Sequence, residues 1–234
     1  MSVLRTLAFT VLAFLAASTP AHAATAGCTG LANELSATHG ARQLMTVVAP
    51  TSSSTTAELS FWRRDGACWR LASGPWTARV GWNGLSAHHV EGDGTTPMGA
   101  FAIGRTMYGT GPDPGVRYRY HRLVCGDWWD EDPTTADYNR FVHVACGAKP
   151  AFGGGSEALW LDTTAYRLFA VIAYNDHPVV AGRGSAIFLH VDTGTATDGC
   201  VSLPQAELIA LLRRLRVALS PLIVVGTTST IRRY

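Results

Sequence analysis

The sequence predicts a mainly β fold, a single-domain barrel or sandwich carrying one amphipathic helix near its C-terminal end. Three observations predict it. Short apolar or alternating runs recur along most of the 234 residues, each bounded by Gly, Pro or Asp, as strands are. Only one stretch carries a sustained helical period. No internal repeat divides the chain, whose length is ample for one buried core.

The elements follow in order. Gly30–Ala37 predicts a short helical turn inside an N-terminal segment, 24–42. Gln43–Ala49 (QLMTVVA) and Ala57–Trp62 (AELSFW) flank the polar turn PTSSSTT and predict a hairpin. Cys68–Ala72 and Thr77–Gly81 predict two further strands, parted by Ser73-Gly74-Pro75. Ala100–Ile103, Ala158–Leu161, Leu168–Tyr174, Ile187–Val191 and Leu222–Val225 complete a domain spanning 43–226, with 227–234 as a tail. Between the last two strands, Leu208, Leu211, Leu212 and Leu215 form an i, i+3, i+4, i+7 stripe that predicts a helix packed on the sheet. Ser202 and Gln205 fit an S-x-x-Q capping box, and Arg213, Arg214 and Arg216 crowd the expected last turn. On this reading Cys200 sits two residues before a helix cap.

The N-terminus predicts export. Arg5 is the only charged residue before Glu34, Leu7–Ala17 is an apolar run, and Ala21-His22-Ala23 is a small-x-small cleavage pattern. Met1–Ala23 therefore reads as a secretory signal peptide, too short in its apolar run to span a membrane. Lipidation at Cys28 is the alternative, opposed by Thr25 and the polar STPAH segment. The expected location is extracytoplasmic, with no membrane span after cleavage. A formal net charge of +2 is too near neutral to argue for nucleic acid or an anionic membrane as a partner. Nothing in the sequence fixes an oligomeric state.

Export makes disulfides available to Cys28, Cys68, Cys125, Cys146 and Cys200. Joining Cys125 to Cys146 would tether the polar loop between them, and Cys28 with Cys68 would staple the N-terminal segment to the body. Four cysteines allow three pairings, so the connectivity stays open at this point. Any scheme leaves one thiol over. Cys200, flanked by glycine in a polar loop, is the candidate.

A free cysteine reacts as the thiolate. A helix start near Cys200 would favour that form, and a histidine within reach could take the proton. His190 ends the apolar strand Ser185–Leu189, and Gly194 and Gly199 permit the loop between them to fold back. Backbone N–H groups at Gly199 and Cys200 could hold an oxyanion. A buried cysteine beside a strand-end histidine would give the same pattern, so the pair alone leaves both readings open.

Wider motifs then bear on it. Thr197–Val201 (T-D-G-C-V) is similar to the [ST]-H-G-C-[IV] signature of the L,D-transpeptidase (YkuD-domain) family. Phe188–Val191 (FLHV) resembles that family's histidine-bearing strand, and Glu91–Phe101 (EGDGTTPMGAF) resembles its D-G-x-T-P-x-G-x-F segment. The stretch Leu168–Val201 resembles the secreted actinobacterial branch. The resemblance implies Cys200 as nucleophile and His190 as base, acting on peptidoglycan tetrapeptide stems. A thioester would form with release of D-Ala, and an amine of a neighbouring stem would take the acyl group. It implies neither a metal nor another cofactor. Water as acceptor would make a carboxypeptidase or endopeptidase instead, and loss of the chemistry would leave a wall-binding module.

Two departures bear on substrate choice. Asp198 stands where the signature has histidine, and Ser202 where the family commonly has Arg or Asn. Thr197, Asp198 and Gly199 are expected to shape the loop before the nucleophile, with Arg183, His177 and His143 as candidate substrate contacts. Asp198 could orient an imidazole, though a carboxylate there would disfavour the thiolate. Trp128 and Trp129, among Asp127, Asp130, Glu131 and Asp132, form either a substrate rim or an anchored acidic loop. The remaining histidines lack compact metal-ligand spacing and are expected to be solvated.

Overall fold

The computed structural model describes residues 27–38 and 40–234, so the predicted signal peptide lies outside the described residues. Its strands are β1 (Gln43–Ala49), β2 (Thr56–Asp65), β3 (Cys68–Arg79), β4 (Leu85–Ser86), β5 (Thr96–Pro97), β6 (Gly99–Gly109) and β7 (Arg119–Arg122). There follow β8 (Asp127–Asp130), β9 (Arg140–His143), β10 (Glu157–Ala158), β11 (Phe169–Ile172), β12 (Phe188–Val191), β13 (Val201–Leu203) and β14 (Leu222–Thr227). One α-helix, α1, covers Gln205–Leu212.

Nine strands form one mixed sheet in the order β11-β12-β13-β3-β2-β1-β14-β6-β7. β11 also pairs with β6, Phe169 opposite Tyr108 and Ala170 opposite Met107, so the sheet closes on itself. The first part of β6 pairs with β14 and the later part with β11 and β7. One strand thus turns the corner of the ring. β8, β9 and β10 make a separate three-stranded sheet.

The apolar pattern explains the placement. β1 reads as a near-continuous apolar run because both its faces are covered. Met45 and Val47 enter the main core, while Leu44 joins Trp62, Ala32, Leu35 and Ile231 in a second cluster. The helix lays Leu208, Leu211 and Leu212 into the main core, with Leu215 just beyond its end, all fully buried. Each such leucine contributes about 1.5–3 kcal/mol of burial.

The mainly β fold with one helix is as expected, and several local expectations are corrected. β3 runs through Ser73-Gly74-Pro75 because a bulge, not a turn, absorbs these residues; its register against β2 shifts there. The N-terminal helical pattern is a single 3-10 turn, Leu31–Glu34. Of Ala158–Leu161 only Ala158 is in a strand, the two-residue β10, and Leu161 is 70% exposed. The capping box does not form. Ser202 belongs to β13, Pro204 holds the cap position without a side-chain bond, and the helix ends at Leu212, before the arginines. The segment after β14 continues into the 3-10 turn Ile231–Arg233, whose Ile231 is buried. Cys28–Cys68 and Cys125–Cys146 are disulfides and Cys200 is free, as expected. The first bridge removes the Cys28 thiol from lipidation.

Candidate active site

Alternation along two neighbouring strands sets the site. β12 and β13 run parallel, with Leu189 opposite Val201 and His190 opposite Ser202. Leu189, Val191, Val201 and Leu203 face the main core. Phe188 and Cys200 fall in a third cluster, with Trp129, Tyr166 and Phe169, and His190 shares Phe188's face by the period of two. The strand pair therefore presents imidazole and thiol on the same side.

The loop between them is pinned to the far strand. Thr197 forms a bridge with Gly81, its N–H donating to the Val80 carbonyl at 3.0 Å, and the Trp82 N–H donates to the Thr197 carbonyl at 2.7 Å. The Cys200 carbonyl accepts the Thr197 hydroxyl at 2.6 Å and the Thr96 hydroxyl at 3.2 Å. Gly199 has φ +116°, and a Cβ there would lie 2.8 Å from the Thr95 carbonyl oxygen. Only glycine fits that approach. Glu91–Phe101 thus acts through Thr95 and Thr96 as the floor of the turn that carries Cys200.

Cys200 is buried, with 7% of its surface exposed. The Phe188 N–H donates to its sulfur at 3.3 Å, and its S–H donates to the Ala186 carbonyl at 3.2 Å. Ala186 itself has φ +52°, a left-handed conformation for a residue with a Cβ, at the carbonyl that receives the thiol. Burial, then the charge of Glu157, pushes the Cys200 thiol well above the ordinary range. The helix start does not offset this, because β13 lies between Cys200 and the first turn.

His190 is also buried, and its Nδ1–H donates to the Val191 carbonyl at 2.8 Å. A carbonyl can only accept, so the neutral ring carries its lone pair on Nε2. Burial holds the imidazole below its ordinary pKa. The Tyr166 ring packs edge-on against it, centroids 6.1 Å apart. The resting pair is a neutral thiol and a neutral imidazole. The thiol proton points at Ala186 rather than at Nε2, a looseness common before substrate binds.

Two cavities meet at Cys200. One, of about 500 Å³, is lined by His190, Tyr166, Glu157, Asp162 and the Thr193–Asp198 loop. The other, of about 260 Å³, is lined by Trp82, His89, Glu91, Glu131, Ser185 and Ala186. Its wall is acidic. Burial, then the charges of Glu157 and Glu91, pushes Glu131 up to about 9, and burial raises Glu157 to about 7. The Tyr166 hydroxyl donates to Glu157, and the Tyr138 and Ser185 hydroxyls donate to Glu91. Glu131 Oε1 is buried without a partner among the described residues.

Asp198 accepts the Trp82 indole N–H at 2.6 Å and stands at the rim of both cavities, so it orients no imidazole. Gly199 gives its N–H to the Thr197 hydroxyl at 3.3 Å, a long bond that a substrate oxygen could replace. Arg183, His177 and His143 line neither cavity. His143 instead donates to Asp127 at 2.7 Å, His177 lies 3.4 Å from Asp176, and the Arg183 carbonyl accepts from Tyr174 at 2.7 Å. Asp127 and Asp130 are buried anchors of the acidic loop, whereas Glu131 lines the smaller cavity together with Cys200. His89, expected in solvent, is buried against Thr95 and Asp93. Sequence reasoning missed Glu157, Tyr166 and His89, and named Glu131 only as one member of a candidate rim. Only Glu131, by its neighbourhood of aspartates, carried any local signal.

The family model of the YkuD L,D-transpeptidase catalytic domain matches residues 51–228, which contain β12, β13 and both cavities. The chain belongs to the YkuD L,D-transpeptidase family. Neither a curated protein nor a solved structure matches it significantly. The YkuD family is a family of cysteine-dependent L,D-transpeptidases that act on peptidoglycan peptides in the cell wall, and membership supports peptidoglycan remodelling of that type here. The two disulfides suit an oxidising compartment. No helix among the described residues is long and apolar enough to cross a membrane.

Proposed function

We propose that the protein is an exported L,D-transpeptidase in which Cys200 is the nucleophile and His190 the general base. The observation that carries this reading is the meeting of two chemically different cavities at one thiol. In the larger, His190 Nε2 takes the thiol proton as Sγ bonds to the carbonyl carbon that joins the diamino acid to D-Ala. The tetrahedral oxyanion draws on backbone N–H groups at Gly199 and Cys200. His190 returns the proton to the departing amine, D-Ala leaves, and a thioester remains. An acceptor amine then attacks the thioester carbon, loses a proton to His190, and displaces Sγ, which is reprotonated.

The smaller cavity favours an amine over water as acceptor. An alkyl ammonium entering it would meet Glu91 and Glu157, and Glu157, raised to about 7, can take the proton that makes the amine nucleophilic. A wall-binding module without chemistry is the second reading, favoured by the burial of Cys200. Against it, the thiol lines both cavities.

Mass spectrometry after incubation with disaccharide-tetrapeptide decides between them. A dimer lighter by one D-Ala, absent with Cys200→Ala, is the expected result. Tripeptide alone would replace transfer by hydrolysis, and unchanged substrate with every tetrapeptide tried would favour the binding module.

A further inference from the structure

A third cavity lies on other elements and has the opposite character. It measures about 480 Å³ and is lined by Gln43, Arg63, Ala72, Arg214, Arg216 and Leu219, none of which lines either cavity at Cys200. Two distant stretches of chain supply its arginines, Arg63 from β2 and Arg214 and Arg216 from the segment after α1, and Arg117, from the loop before β7, is near enough to act on Arg216.

The floor is built rather than incidental. Gln43 is 1% exposed and spends its whole amide on this segment. Its Nε2–H donates to the Arg214 carbonyl at 2.7 Å, and its Oε1 accepts the Arg216 N–H at 2.8 Å. Arg214 Nη1 donates to the Ala72 carbonyl at 3.0 Å and to Ser73 Oγ at 2.5 Å. Arg216 Nη1 donates to the Arg213 and Leu215 carbonyls at 2.7 and 2.9 Å. Each guanidinium is thus held by one nitrogen, and its other N–H groups have no partner among the described residues. Carbonyls orient these groups without neutralising them.

No carboxylate pairs with Arg63, Arg117, Arg214 or Arg216 among the described residues. Partial burial, then the nearby Arg117 and Arg63, holds the Arg216 guanidinium below its usual pKa. An arginine still keeps its charge near neutral pH, so this repulsion persists until an anion relieves it. Forked guanidiniums from separate segments suit a tetrahedral oxyanion, which can accept two N–H bonds from each.

We propose that this pocket binds phosphate groups carried on an anionic polymer, holding the enzyme to that polymer while the Cys200 cleft stays free. A concave site of this size takes one or two phosphates of a chain, whereas a bilayer presents a flat array of headgroups. Nothing in this proposal depends on the catalytic reading.

The test is titration of the full-length mature protein with linear polyphosphate in low salt. Arg63→Gln/Arg216→Gln is the partner variant, and thermal melting checks that it folds. Micromolar binding that the variant weakens at least ~10-fold is expected, because charge-assisted bonds are lost. Turnover of soluble tetrapeptide should stay unchanged. Phenylglyoxal labelling of the wild type gives a readout that needs no variant: polyphosphate should protect Arg63, Arg214 and Arg216. No binding at low salt, equal binding by both proteins, or unprotected arginines would overturn the proposal. Binding to phosphatidylglycerol vesicles but not to polyphosphate would also overturn it, assigning the pocket to lipid headgroups. Loss of turnover in Cys200→Ala with polyphosphate binding intact would separate this site from the catalytic one.

Discussion

The acidic cavity beside Cys200 and the arginine pocket lined by the segment after α1 handle crowded like charge in opposite ways. Glu131 and Glu157 sit in a closed site and respond by holding protons, at about 9 and about 7. The arginines cannot give up theirs, so they stay near solvent and orient themselves on backbone carbonyls. A carboxylate cluster can therefore be tuned by pH and used in proton transfer. A guanidinium cluster is a fixed field that waits for an anion. The net charge of +2 conceals both, because the two fields lie in different places and largely cancel in the sum.

The largest effect that would sharpen this contrast concerns the base. His190→Gln should lower kcat/KM by about 10²–10⁴, while Arg216→Gln leaves it within about twofold on soluble substrate. A near-wild-type His190→Gln enzyme would move the base elsewhere, and buried His89 in the acidic cavity would be the next residue to change. Because burial holds His190 below its ordinary pKa, the acid limb of the rate profile should lie below about 6.5. A limb above that value would contradict a buried neutral imidazole.

Next in size is the disulfide that brackets the acidic loop. Removing Cys125–Cys146, 21 residues apart, should cost about 3 kcal/mol in chemical denaturation. Hydrogen exchange should then rise in β8–β10 and stay unchanged at Gln43 and Arg216. Uniform loosening would mean that the two charged regions are mechanically coupled.

Smaller effects separate the carboxylates. Glu157→Gln should shift the onset of Cys200 alkylation to lower pH, because its charge, after burial, holds the thiol up. Glu131 has an ordinary value of 4.5 and a folded value of about 9. Its contribution to stability is full below the first and lost as pH rises through the second. Glu131→Gln should flatten that decline in thermal melts across this window. The smallest change is Ala186→Gly, expected to relieve about 1 kcal/mol of left-handed strain, offset in part by the freer unfolded chain. A clear loss of stability would show that no strain is stored at the carbonyl facing the thiol.

Much of the fold was legible because burial leaves local periods. The leucine stripe of α1 and the β1–β2 hairpin are examples. His190 and Cys200 were singled out for another reason, the odd cysteine count and the FLHV and T-D-G-C-V motifs; that parity along two adjacent strands puts both on one face is visible only once β13 is known. The helix-cap expectation failed because Ser202 and Gln205 satisfy the capping pattern while β13 claims Ser202 for the sheet. The acidic wall was largely hidden. In DWWDED, nothing local distinguishes Asp127 and Asp130, which accept internal hydrogen bonds, from Glu131, which shares a cavity with Cys200. Arg63 and Arg216 were further out of reach, since only the folded sheet brings their segments together.

The pairing of β1 carries a consequence for folding. β1 finds β2 across a short turn, but its other edge pairs in parallel with β14, Leu44 beside Leu222. Until residues 222–227 arrive, a strongly apolar strand keeps an open hydrogen-bonding edge, and such edges recruit other chains. Ring closure is a long-range, high-contact-order step and should limit the folding rate. A chain stopped just before Leu222 would contain Cys200, His190 and every carboxylate of the cleft, yet it should aggregate rather than turn over substrate. The central strand is placed first and secured last.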